Sequence, residues 1–241
     1  MAVLAFDTST DTMSVAVGRT AGGVSRVWQH SAAGGAQASA TLIPVIRALM
    51  AQAGLGFGEL DAIAFGRGPG AFTGLRTACA VAQGLAFGAH VPGGGAPVPV
   101  LAIDSLLALA EEARHQHAPD VVPVQVLALL DARMDEIYAA CYSFDGSGWT
   151  ERQAPALDQP ERLVLDAGWQ DGKGLLAGNV FAAYGERLAL GRGAARVTAL
   201  PTATAMLRLA PRLLAAGLGT SAELALPVYI RDKAVNIWRG T

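Results

Sequence analysis

The chain has 241 residues, 52% of them hydrophobic and 16% charged, with a net charge of −2. That length builds one large domain or two lobes with a real core, and so few charges leave apolar surface for a partner to cover. The charge balance argues against a free-standing nucleic-acid binder, which needs a basic face.

The first apolar run, at 3–6, predicts a short strand ending in Asp7. It meets an acid too early, and lacks the basic start, for a secretory signal. Runs at 13–17 and 24–30, separated by Gly22-Gly23, predict two more strands and a β-meander. Residues 31–39, rich in Gly, Ala and Ser, predict a loop. Leu42, Val45, Ile46, Leu49 and Ala53 then follow at helical spacing, widened by Ile43 and Met50, with Gly54 as the stop.

A strand at 62–65 leads into Gly66-Arg67-Gly68-Pro69-Gly70-Ala71-Phe72-Thr73-Gly74-Leu75-Arg76 and a helix running from 71 to 89. Strand, glycine turn and helix start make either a phosphate cradle or a packing corner. The turn is one residue short of G-x-G-x-x-G, no Lys follows as in a Walker loop, and Pro69 removes an N–H. Those departures favour the corner. The helix has Arg76 as its sole charge and is apolar nearly all round, so it is buried on more than one side, against its own sheet and against a partner. Its length suggests a membrane span, but Arg76, Gln83 and the lack of large aliphatics point to a buried helix instead.

The glycine- and proline-rich stretch at 91–99 marks a boundary region; a strand at 100–103 and a helix from Asp104 or Ser105 to about His115 follow. The second half repeats the first. A strand at 126–130 ends in Asp131 as the first ends in Asp7, 137–142 makes the returning strand, and 174–177 leads through Gly178-Asn179 into a helix from 180 to about 190. This is an internal duplication of β-hairpin plus strand–Gly–helix units. A last helix covers 202–217 and an extended segment 226–231. The domains are therefore placed at 1–104 and 105–241.

Asp7 and Asp131, at two strand ends, are the carboxylates that could hold hydrated magnesium and nucleotide phosphates, with Thr8, Ser9 and Thr10 supplying donors. The alternative is that each shapes a hairpin turn. Turn shaping is favoured for Asp131, where Ala132-Arg133 replaces the hydroxyl run; for Asp7 the two readings stand level. His30, His90, His115 and His117 sit in no zinc spacing. Glu111 and His115 share a helix face that is read as solvated. No G-x-S-x-G elbow occurs. Cys79 and Cys141 lie in apolar patterns without framework spacing, which fits a reducing cytoplasm. Arg231, Lys233 and Arg239 make the tail mildly basic.

Five motifs resemble the bacterial TsaB (YeaZ) family: the opening Leu4-Ala5-Phe6-Asp7-Thr8-Ser9-Thr10, the stretch from Ala64 through the glycine turn to Arg76, Ala82-Gln83-Gly84-Leu85-Ala86, Leu130-Asp131-Ala132-Arg133-Met134-Asp135-Glu136-Ile137-Tyr138, and Leu226-Pro227-Val228-Tyr229-Ile230-Arg231. The resemblance implies a two-lobed α/β fold of the actin, sugar-kinase and Hsp70 type. It implies a role in making N6-threonylcarbamoyladenosine beside the tRNA anticodon, as a non-catalytic partner of the transferase TsaD in a complex with the ATPase TsaE, and as a homodimer when alone. Contact with tRNA is then indirect. It assigns pairing to the N-lobe helices, here Leu42, Val45, Ile46, Leu49, Leu75, Cys79, Ala82 and Ala86. Gly66, Gly68, Pro69 and Gly70 become a structural turn. No catalytic residue, metal, cofactor or membrane is implied, and weak ATP or ADP binding at Asp7, Thr8 and Ser9 stays open. Ala38-Ser39 stands where many members have His-Ser, and the insert around Gly93-Gly94-Gly95 is longer than usual. The competing class is an enzyme, a nucleotide hydrolase or peptidase using Asp7 and the glycine turn; a small-molecule kinase of the same fold ranks below both.

Overall fold

The computed structural model describes residues 1–89, 95–163, 174–188 and 194–230. The chain forms two compact units, one of Met1–Ala108 with Pro201–Val228, the other built on Leu109–Leu200.

The first unit is a five-stranded sheet in the order β3-β2-β1-β4-β5. β1 (Ala2–Asp7) and β4 (Ala62–Gly68) pair in parallel at its centre, where both faces are covered. That is why they read as unbroken apolar runs and not as alternating patterns. β2 (Thr12–Ala21) and β3 (Val24–Ala33) extend it antiparallel, joined by Gly22 and Gly23, both at positive φ as a type I′ hairpin needs. β5 (Val100–Asp104) closes the other edge.

α1 (Ala38–Ala53) packs on β2 and β3, and α2 (Phe72–Gly88) on β4. The segment expected to be a loop at 31–39 instead continues β3 to Ala33 and starts α1 at Ala38, because Ala38 is fully buried in the core. Gly54 does end α1: its φ is 63°, and Leu55 N–H reaches back to Met50 O at 3.1 Å.

α5 (Ala203–Ala215) covers the opposite face, capped by the Thr202 hydroxyl accepting from Ala205 N–H at 3.1 Å. Ala203 N–H donates to Ser14 Oγ at 2.9 Å, and Leu207 sits over Gly18, so β2 gives Val15 and Val17 to one face and Ser14 and Gly18 to the other. The sequence boundary at 104 left this helix in the second domain. Those contacts return it to the first.

α3 (Ser105–His117) carries the chain onward. The second sheet runs β10-β9-β6-β7-β8, from β6 (Val124–Arg133), β7 (Glu136–Phe144), β8 (Trp149–Asp158), β9 (Gly174–Gly178) and β10 (Ala195–Thr198). Read backwards, this is the order of the first sheet with β6 in the place of β1 and β9 in the place of β4, so the duplication extends to topology. The helix expected at 180–190 shrinks to α4 (Phe181–Tyr184) and a 3-10 turn to Arg187, since Gly185 at φ 43° breaks it; its end at Leu190 lies outside the described residues. So do His90, Gly93, Gly94, Arg231, Lys233 and Arg239.

Candidate functional site

The glycine turn is filled by its own chain. Leaving β1, residues Thr8 and Ser9 press against the start of α2. Ala71 N–H, a free donor in a phosphate cradle, binds Ser9 O at 2.7 Å. The Ser9 carbonyl lies 2.5 Å from where a Gly70 side chain would begin, and the Thr8 carbonyl occupies that space at Gly74. Thr8 Oγ1 donates to Gly74 O at 2.7 Å in full burial. Gly68, with φ 113° and a cis peptide to Pro69, is closed from the other side by the Val228 carbonyl; Val228 N–H donates to Arg67 O at 2.8 Å. Arg67 pairs with Asp104 at the end of β5, Nε to Oδ1 at 2.7 Å and Nη2 to Oδ2 at 3.1 Å. The glycines make room for backbone, so Gly66, Gly68, Pro69 and Gly70 form a packing corner.

Gly66 makes room for a side chain as well: a Cβ there would collide with the Asp7 carboxylate. Asp7 is wholly buried. Its Oδ1 accepts from Ser9 N–H at 2.8 Å and Ser9 Oγ at 2.7 Å, and its Oδ2 from Ser105 Oγ at 3.2 Å. Burial pushes its pKa up from 3.8 to about 6, against the opposing pull of these three donors. Thr8 and Ser9 are buried too, so all three residues assigned to a nucleotide are engaged internally. Ser105 escaped the sequence reading as a partner, since it lies almost a hundred residues away and looks like a helix cap.

The second half reproduces this turn chemistry in weaker form. Asp131 Oδ1 accepts from Arg133 N–H at 2.8 Å, as Asp7 does from Ser9, and from Tyr184 OH at 2.7 Å. Arg133 Nη1 stands 3.5 Å from Asp131 Oδ2. Burial, then the bond to Asp131, pushes the Tyr184 phenol up to about 12. Asp131 thus shapes its hairpin, whose tip holds Arg133, Met134 and Asp135 at positive φ. Asp135 binds Arg187 Nη1 at 2.8 Å.

The helices assigned to pairing divide differently from the sequence reading. Leu42, Ile46, Leu49, Leu75, Cys79, Ala82 and Ala86 are all buried inside their own unit, and Val45 is half-buried. In α2 a run of mostly small residues has no stripe to say which face turns inward, and Leu75, Cys79, Ala82 and Ala86 turn inward, as Leu42, Ile46 and Leu49 of α1 do. The flank of α2 also meets its own chain: Cys79 Sγ and Gln83 Nε2 donate to Ala225 O at 3.1 and 2.8 Å. The large apolar side chains left outward are Ile43 on α1 at 44% exposure and, on α2, Phe72 at 52% and Phe87 at 87%; Ala80, Gly84 and Gly88 of α2 are exposed as well. Arg76 stacks on Phe72, 3.9 Å from the ring centre.

Glu111 was expected on a solvated face. It is buried, paired with Arg114 at 3.0 Å and accepting from Trp149 Nε1 at 3.1 Å, while His115 is exposed. Among the described residues no His, Cys, Asp and Glu group is placed to hold a metal, and no helix is long and apolar enough to cross a membrane.

Comparison with known proteins adds a consistent set of likenesses. A protein-family model described as "TsaD: tRNA N6-adenosine threonylcarbamoyltransferase" matches residues 29–238. The "tRNA threonylcarbamoyladenosine biosynthesis protein TsaB" of Escherichia coli K12 is 30% identical over 96% of this chain and 95% of its own. That of Haemophilus influenzae is 33% identical over 97% and 94%. Among solved structures, "YeaZ from Pseudomonas aeruginosa" aligns with a TM-score of 0.80 at 38% identity, over 95% of this chain and 99% of that one. A second Pseudomonas aeruginosa structure, described as having similarity to peptidase YEAZ, gives 0.82 at 37%, over 95% and 99%.

Proposed function

The chain belongs to the TsaB (YeaZ) family of tRNA threonylcarbamoyladenosine biosynthesis proteins, with their actin-like α/β fold, and from that premise we propose that it is a non-catalytic subunit of the modifying assembly. Its partner is a TsaD-type transferase, joined by a TsaE-type ATPase, and tRNA reaches it through that complex. Alone, the same surface pairs two copies of the chain. It requires no nucleotide, since Asp7, Thr8 and Ser9 already serve the fold.

One observation carries the docking surface. Gly84 and Gly88 lie on the outward face of α2, and a side chain at either would meet nothing within 4 Å. Each glycine costs a helix about 1 kcal/mol relative to alanine. The fold itself makes no use of them, in contrast to Gly74 in the same helix. Their smallness serves a backbone arriving from outside, with the exposed Phe87 of the same helix as its apolar anchor.

The test is reconstitution: this chain, the TsaD- and TsaE-type proteins of its own organism, threonylcarbamoyl-adenylate synthase, ATP and unmodified tRNA. The expected result is modified adenosine only when the chain is present, lost with Gly84→Leu although that variant remains folded. Equal modification without the chain sinks the reading.

A further inference from the structure

Arg19 on β2 stands directly opposite Arg26 on β3 in the antiparallel register. Opposed residues share one face of a ladder, with Cβ atoms about 5 Å apart, and like charges placed so repel. Both side chains are exposed, and neither makes an ion pair or side-chain hydrogen bond among the described residues. The carboxylate on the far side of β1, Asp61 just before β4, accepts from Ala2 N–H at 2.6 Å. The next opposed pair along that face, Val17 with half-buried Trp28, already belongs to the core. The two cations therefore sit at its rim, where nothing in the packing calls for charge. Beyond them the ladder narrows to Gly22-Gly23, which has no side chains to hinder a second backbone.

We propose that Arg19 and Arg26 form a clamp for the phosphodiester backbone of an RNA strand. Two guanidinium forks on one face match phosphate oxygens in shape and charge, and a bound phosphate removes the repulsion between them. A pair of such contacts positions a strand without reading its sequence, in keeping with a chain whose net charge of −2 makes it no general RNA binder. The inference rests on the reading of the chain as part of a tRNA-modifying assembly, and it assigns to the chain a direct contact with the tRNA that this assembly modifies.

The experiment compares the full chain with Arg19→Gln, Arg26→Gln and the double variant. Unmodified tRNA is titrated onto the complex with the TsaD-type partner across a salt series. Each substitution should lower the slope of log affinity against log salt by about 0.9, at unchanged or higher melting temperature. Co-elution scores assembly separately, so a failure to pair bears on the previous reading alone. In the same complex, phenylglyoxal labelling of Arg19 and Arg26, read by peptide mass spectrometry at low salt, should be suppressed by tRNA. Unchanged slopes in a formed complex, or equal labelling with and without tRNA, overturn the clamp. A melting temperature lowered by either substitution does so too, because the arginines would then be serving the fold.

Discussion

Thr8 and Gly74 lock the first turn of the chain to its longest helix: the Thr8 hydroxyl donates to Gly74 O at 2.7 Å, and the Thr8 carbonyl fills the space a side chain on Gly74 would need. Gly84, ten residues along α2, faces open space. Two glycines in one helix thus answer to different constraints.

Substituting each by alanine separates them. Gly74→Ala forces the buried β1–α2 junction apart and should cost about 3 kcal/mol or more. Gly84→Ala should stabilise the isolated chain by about 0.5–1 kcal/mol, the helix-propensity difference. Urea unfolding of both variants measures this; equal and opposite signs reversed from those stated would refute the assignment of faces.

Asp7 gives the chain a pH signature. Its folded pKa of about 6 lies above the unfolded 3.8, so the folded state holds the proton more tightly. The resulting contribution to stability is fully present below 3.8 and is lost as pH rises through about 6. At about 1.4 kcal/mol per unit, the span is on the order of 3 kcal/mol. The difference in unfolding free energy between the parent and Asp7→Asn, followed from pH 4 to 8, should trace this window. Parallel curves for the two proteins would count against a buried, proton-holding Asp7.

Ala82→Arg and Phe87→Arg test which surface of α2 is outside. Ala82 is fully buried, so its arginine places an unpaired charge in the core and should unfold the unit, costing several kcal/mol. Phe87 is 87% exposed, so its arginine should leave the melting curve within about 0.5 kcal/mol of the parent while abolishing co-elution with the TsaD-type partner. A soluble, cooperatively melting Ala82→Arg protein contradicts the packing of α2 described above.

In the second unit, Glu111 on α3 pairs with Arg114 of the same helix and ties it to Trp149 at the start of β8. Glu111→Ala removes the carboxylate partner of the largely buried Arg114 guanidinium, which keeps the Pro119 carbonyl and the Phe144 ring, and should cost about 2–4 kcal/mol. Trp149→Phe removes one hydrogen bond to the same carboxylate and should cost about 1–2 kcal/mol, measured by the same unfolding titration.

Much of this architecture is legible before any coordinates. The central strands announce themselves as apolar runs, Gly54 as a helix stop, and the Asp7 and Asp131 hairpins as copies of one another. What escapes is whatever depends on direction or distance. β8 is an exposed strand carrying Glu151, Arg152 and Pro155, with no apolar run to betray it. β10 has four residues. The faces of α2 could not be ordered from residues that are mostly small all round, which is how its core residues Leu75, Cys79, Ala82 and Ala86 came to be assigned to a partner. Ser105 reaches Asp7, and Ala225 receives Gln83, across separations that leave no local pattern.

The return of residues 201–228 to the first sheet has a consequence for synthesis. Met1–Ala108 emerges from the ribosome lacking α5, which covers one face of its sheet, and lacking the Ala225 carbonyl that receives Cys79 and Gln83. Domains ordinarily mature in the order in which they are made. Here the unit that is begun first must wait for residues 201–228, made after most of the second unit, before both faces of its sheet are covered. A nascent product cut short before residue 201 therefore holds a first sheet with one face uncovered.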